Sequence, residues 1–198
     1  MTKVRINKYL AHTGLASRRQ IDQYIEQGRI KVNGQTAELG MSVDPAKDKI
    51  ELDDKSISVA DEREKLVYWK IYKPVGVVST ADDPYGRPTV LNLVDIDQRV
   101  YPVGRLDQES EGLVLLTNDG DLTYKLTHPQ FHVPKVYVVW LRGDLTDKKI
   151  NQLREGIKLK KSVTKPAEII VLARHPQRAM IKITSFEGQN RQIRRMSG

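Results

Sequence analysis

The sequence predicts an α+β protein in two parts, and three features predict it. Helix-like and strand-like runs are mixed without the strict βαβ alternation of a doubly wound sheet. Charge is uneven: residues 1–35 hold seven Lys/Arg against two Asp/Glu, and residues 36–66 hold five against nine. Residues 60–65 (ADEREK) are all charged after the first, have nothing to bury, and separate two regions with their own apolar periodicity. A small domain is therefore expected over 1–60, a linker over 61–66 and a larger domain over 67–198. At 198 residues such a chain buries enough apolar surface to fold without staples.

In the first part, Ile6, Tyr9 and Leu10 stand at i, i+3, i+4 and Gly14 follows as a C′ residue, which predicts a short amphipathic helix. Ser17 is placed to cap a second helix, with Gln20 at the N3 position of a capping box. Its apolar face is Ile21, Tyr24 and Ile25, and Gly28 ends it. A strand over 29–32 turns at Asn33-Gly34, and another is expected around 49–52.

In the second part, residues 66–80 predict a long strand pair interrupted by Pro74 and Gly76, with further strands at 99–104, 113–117 and 135–142. A short helix is expected at 120–126. A better one covers 146–155, with apolar Ile150 and Leu153 and a closing Gly156. Strands at 168–173 and 179–186 lead into the basic tail EGQNRQIRRM.

Composition excludes several classes. Charged residues at 29% and hydrophobic ones at 39% describe a soluble globular chain. A net charge of +8 favours a polyanionic partner, nucleic acid or an anionic membrane face. The absence of cysteine rules out disulfides, a thiolate nucleophile and Cys-based zinc, and fits a reducing compartment, the cytoplasm. No apolar stretch reaches signal-peptide form or the roughly 20 residues that span a bilayer. His12, His128, His132 and His175 form no ligand triad, Pro129 lies between the two that are close, and no GxSxG or P-loop occurs. Neither metal nor cofactor is expected.

Two constellations carry chemistry. Arg18-Arg19 opens the second helix, where the macrodipole disfavours cations. A phosphate held by the helix N–H groups, the Ser17 hydroxyl and two guanidinium forks would compensate; a solvated basic face is the plain alternative. The run RINKYLAHTGLASRRQIDQYIEQGRIKVNG resembles the S4 RNA-binding domain. The resemblance implies one RNA-facing surface made of Arg5, Lys8, Ser17, Arg18, Arg19 and Lys31, which reads backbone and shape.

The other constellation is Gly104-Arg105-Leu106-Asp107-Gln108-Glu109-Ser110-Glu111-Gly112, a polar loop between the strand-like runs VYPV and LVLLT. An aspartate in such a loop is most often a turn or capping residue. However, KPVGVVST, VGRLDQESEGLVLLTNDG, KVYVV and EGQNRQIRRM are similar, in that order, to the successive motifs of the S4-containing bacterial rRNA pseudouridine synthases. That family resemblance implies a catalytic domain with a mixed, mainly antiparallel sheet flanked by helices, whose last elements lie beyond Gly198. It implies that Asp107 is the catalytic aspartate and that Arg194 is the cation that keeps it charged. Tyr137 would stack on the uracil, and Arg105 would enter the RNA stack when the base flips out or grip a phosphate. Asn190, Arg191 and Arg195 would bind phosphates or buttress the site. The expected partner is ribosomal RNA or a pre-ribosomal particle, large-subunit rRNA before small-subunit rRNA, and the chain is expected to act as a monomer. A non-catalytic RNA-binding or ribosome-assembly protein on the same fold, or an S4-type regulator, is the competing reading.

Overall fold

The computed structural model describes residues 3–57, 65–159 and 162–197. The expected linker falls largely on 58–64, outside the described residues. The chain divides into two compact units, Met1–Thr123 and Tyr124–Gly198.

The first unit opens with β1 (Val4–Arg5), α1 (Ile6–His12) and α2 (Arg18–Glu26), followed by β2 (Ile30–Val32), β3 (Gln35–Thr36), β4 (Ser42–Val43), β5 (Ile50–Leu52) and β6 (Lys55–Ser56). The predicted capping box on α2 forms in full. The Ser17 hydroxyl accepts from the Gln20 N–H at 3.2 Å, and the Gln20 side chain accepts from the Ser17 N–H at 3.0 Å. At the other end the Gly28 N–H bonds Ile25 O and the Arg29 N–H bonds Tyr24 O, the paired bonds of a Schellman stop. Asn33 and Gly34 both take positive φ, 52° and 80°, which makes the tight turn that pairs β2 with β3. β2 also pairs with β5, so the sheet runs β3-β2-β5-β6. Ile6, Leu10, Ile21, Ile25, Ile30, Val43 and Ile50 form one core beneath the two helices.

The same unit continues with β7 (Tyr68–Lys73), β8 (Tyr101–Val103) and β9 (Gly112–Thr117) in an antiparallel sheet ordered β7-β9-β8. Here one expectation fails. Residues 66–80 are not a strand pair, because β7 pairs with β9 and the chain after Lys73 leaves the sheet. Pro74 has no N–H to donate to a ladder, and the Gly76 N–H is committed to Gln108 O. Val77, Val90, Val100, Val114 and Leu116 pack under this sheet. α3 (Gly120–Thr127) follows.

The second unit contains β10 (Lys135–Arg142), α4 (Asp147–Glu155), β11 (Lys158–Leu159), β12 (Ser162–Val163), β13 (Glu168–His175), β14 (Arg178–Ser185) and α5 (Gln192–Met196). Its three-stranded sheet is ordered β10-β14-β13, antiparallel throughout, with an irregularity between Val171 and Ala173. Strand alternation turns Ile169, Ile181, Ile183 and Leu141 to one face, where they meet Ile150 and Leu153 of α4 and Met196 of α5. Thr146 caps α4. Gly156 ends it at φ 101°, where any Cβ would collide with the Thr164 carbonyl oxygen.

Candidate active site

The loop between β8 and β9 is held from both sides of Asp107. Its ends are set by adjacent antiparallel strands, with Val103 opposite Leu115. Leu106 packs against the valine-rich core beneath the sheet. Both of its backbone groups are taken by one side chain: the Ser79 hydroxyl donates to Leu106 O at 3.0 Å and accepts from the Leu106 N–H at 3.1 Å. On the other side, Gln108 O accepts from the Gly76 N–H at 2.8 Å, and the Gln108 side-chain amide donates to Gly76 O at 3.1 Å. A turn closed by the Ser110 N–H onto Asp107 O completes the clamp. Asp107 itself is half-buried.

Beneath this clamp lies Lys73, fully buried at 0% exposure. Its ammonium donates to Pro74 O at 2.9 Å and Val77 O at 2.7 Å, and reaches Gln108 O at 3.5 Å. Burial pushes its pKa below the ordinary lysine value, while the charges of Asp107, Glu109 and Glu111 pull the other way. The cation thus gives the loop a positive floor, hydrogen-bonded to carbonyls rather than to one carboxylate. Glu111, at the loop's far end, accepts a hydrogen bond from Tyr72, which raises that phenol's pKa.

The residues after β9 serve the scaffold. Thr117 donates to Val67 O, Asn118 accepts from the Val67 N–H and donates to Lys65 O, and Asp119 accepts from the Leu122 N–H at 2.8 Å at the start of α3. That backbone hydrogen bond leads the causes that lower the Asp119 pKa. The Thr-Asn-Asp-Gly run therefore pins β7 against β9 and opens a helix.

Arg105 is exposed on the Asp107 loop. Tyr137 lies on β10 opposite Ile183 of β14, half-buried on the sheet face that carries the core of the second unit. Arg194 is on α5. Gln192 and Met196 of that helix turn inward, and Arg194 and Arg195 are exposed, as are Asn190 and Arg191 just before it. The helix is anchored through Gln192, whose amide donates to Glu187 at 2.6 Å and accepts from the Gln189 N–H at 2.9 Å.

On the two-helix region, Arg5, Arg18 and Arg19 are exposed. Arg18 donates to Asn7 at 3.3 Å, and the buried Asn7 donates to both Asp22 oxygens. Lys8 is ion-paired with Asp121 at 2.7 Å and Lys31 with Asp54 at 2.6 Å. Such exposed pairs contribute little to stability and exchange readily for another anion. The Ser17 hydroxyl is engaged as a helix cap.

Lys73 and Ser79 are the residues that sequence reasoning missed. Along the chain, Pro74 and Gly76 register only as interruptions of a strand run, and neither Lys73 nor Ser79 carries a chemical signal of its own. A lysine that ends a strand and sits in phase with the partly buried Ile71 was the one available clue.

Comparison with known proteins identifies the family. The family model for RNA pseudouridylate synthase matches residues 67–197, and that for the S4 domain matches residues 4–50. The chain is 42% identical over 196 residues to ribosomal large subunit pseudouridine synthase B of Bacillus subtilis (strain 168), covering 97% of this chain and 78% of that protein. It is 37% identical over 195 residues to the dual-specificity RNA pseudouridine synthase RluF of Escherichia coli (strain K12), covering 98% of this chain and 65% of that one. A crystal structure of a pseudouridylate synthase superposes with a TM-score of 0.65 at 30% identity, over 98% of this chain and 81% of its own. The synthase model over residues 67–197, the S4 model ahead of it and the 42% identity to a curated synthase place this chain in the RNA pseudouridylate synthase family.

Proposed function

We propose that this enzyme converts a uridine of large-subunit ribosomal RNA to pseudouridine, and that Asp107 is its catalytic residue. The observation that carries the proposal is the two-sided clamp on Leu106 and Gln108, which holds one half-buried carboxylate at the tip of a loop. The reaction breaks the bond between ribose C1′ and uracil N1, turns the base, and joins C5 to C1′, so no atom is gained or lost. Addition of the carboxylate to uracil C6 and its assistance at an oxocarbenium-like C1′ demand the same of the protein. The carboxylate must be charged, immobile and met by a nucleoside drawn out of its helix.

In this reading Tyr137 takes the uracil ring, Arg194 supplies a cation, and Arg105 contacts the RNA beside the extruded base. Residues 1–60 form the RNA-binding module and 67–198 the catalytic domain. Large-subunit rRNA is favoured by the 42% identity to the Bacillus subtilis large-subunit synthase.

Chemical labelling of pseudouridine followed by primer extension, in cells with and without the protein, tests the proposal. One large-subunit uridine is expected to be labelled only when the protein is present. No difference between the two cell lines would sink it, and a difference confined to small-subunit rRNA would move the substrate.

The Arg18→Ala, Arg19→Ala double variant is expected to bind RNA more weakly and to show a flatter dependence of log affinity on log salt. The slope should change by up to about 2, because each lost phosphate contact releases roughly one fewer counterion. Titration at several salt concentrations reads this directly, and an unchanged slope would remove α2 from the RNA surface.

A further inference from the structure

Between the turn that follows β7 and a short 3-10 turn at Val90–Leu93, the chain makes an excursion over residues 80–88 (TADDPYGRP). Its stem is closed: the Val78 N–H donates to Pro88 O at 2.9 Å, and the Val90 N–H donates to Val78 O at 3.0 Å. Inside, the Asp83 carboxylate, with its side chain only 4% exposed, accepts from the backbone N–H groups of Tyr85 and Arg87 at 3.2 and 2.9 Å. It also accepts from the Arg87 guanidinium at 2.7 Å. The Arg87 hydrogen bond is the largest cause that holds this carboxyl down at about 2. The lock therefore stays charged at any pH above the ordinary aspartate range and loosens only as pH falls toward that value.

What the lock holds is Tyr85, whose exposure of 80% is the greatest among the exposed large hydrophobic residues described. The ring adds almost no burial, so the scaffold gains little from it. The Arg87 guanidinium carbon sits 5.2 Å from its centroid, within cation–π reach, which favours one orientation of a ring that stays largely exposed. An aromatic face biased toward one orientation loses less entropy on binding a flat partner. The stem also sets its position relative to the reaction. Ser79, which precedes the excursion, bonds both backbone groups of Leu106, the neighbour of Asp107.

We propose that Tyr85 is a base-stacking residue that takes the face of an unpaired nucleobase flanking the target uridine and so helps to select and seat the RNA. The inference rests on the proposed reading of Asp107 as the site of reaction. Charge favours the base over the phosphate backbone as the occupant. Arg87 neutralises Asp83 and exposed Asp82 leaves the tip net negative, so attraction must come through the ring. Stacking of a base on an aromatic side chain tolerates such a sign because every base offers a π-face.

The test uses the full chain with an unmodified transcript of large-subunit rRNA. Tyr85→Ala and Tyr85→Leu are expected to raise the half-saturating RNA concentration roughly tenfold, with the maximal rate of pseudouridine formation unchanged. Tyr85→Phe should behave as wild type. The slope of log affinity against log salt should stay as in wild type for every Tyr85 variant, since stacking releases no counterions. Thermal unfolding of Tyr85→Ala should match wild type, which separates a lost contact from a lost fold. Wild-type affinity in Tyr85→Ala, or leucine serving as well as phenylalanine, would overturn the proposal. So would a self-association that disappears in Tyr85→Ala, because it would assign the ring to a protein contact. Affinity is read without turnover, so a chain that binds through Tyr85 but makes no pseudouridine refutes the reaction and keeps the ring. The reverse result refutes only the ring.

Discussion

Asp107→Asn is expected to abolish pseudouridine formation, with a loss of roughly four orders of magnitude or more in rate under single-turnover conditions. RNA affinity should stay within a few fold. The change is nearly isosteric, so the Leu106 and Gln108 backbone bonds to Ser79 and Gly76 have no reason to break. What disappears is the charge, and with it both routes open to a carboxylate, addition to uracil C6 and assistance at C1′. In the proposed reading, binding rests on the basic face and the loop's shape, neither of which the amide alters. Release of tritium from C5-labelled uridine in RNA measures the reaction, and filter binding measures affinity. Retained turnover in Asp107→Asn would remove the proposed mechanism outright.

Lys73→Met carries the second large effect, chiefly on stability. Methionine fills a similar volume but donates nothing, so the partly buried carbonyl of Pro74 and the buried one of Val77, bonded now at 2.9 and 2.7 Å, lose this donor. Each orphaned group costs about 1–3 kcal/mol, so the expected loss is about 2–4 kcal/mol, seen as a fall in Tm of roughly 5–15 °C. The pH dependence has a definite sign. The folded pKa of Lys73 lies below its ordinary value, so between the two the unfolded chain binds a proton that the folded chain does not. Wild-type stability therefore rises with pH across that alkaline window relative to Lys73→Met, and below the folded pKa the difference is flat. Ser79→Ala loosens the clamp from the other side and should reduce turnover by about 10–100-fold through misplacement of Asp107. Equal stability of Lys73→Met and wild type in denaturant titrations would show that the buried ammonium is dispensable.

Local elements were legible because their causes are local. The capping box at Ser17 and Gln20, the Gly28 stop and the Asn33-Gly34 turn each depend on residues within a few positions of one another, and each formed as read. Strands β10 and β14 carried enough alternation to be placed within a residue. The strands of two residues, such as β3, β4 and β6, are too short for any period to register. Residues 66–80 misled because apolar residues on both sides of Pro74 and Gly76 look alike in one dimension. Only the partner decides, and β7 found β9 while the rest bonded to the Asp107 loop.

The sequence by itself determined the class of fold, the basic helical module at the front and the aspartate loop as the candidate site. Those follow from periodicity, from charge and from motifs that stand contiguous along the chain. Tertiary structure alone decided what immobilises Asp107: a lysine ammonium on carbonyls and a serine hydroxyl on Leu106, 27 positions apart in the chain. Desolvation of a charge and satisfaction of a buried carbonyl are properties of a packed neighbourhood, and no spacing of residues encodes which distant group will supply them.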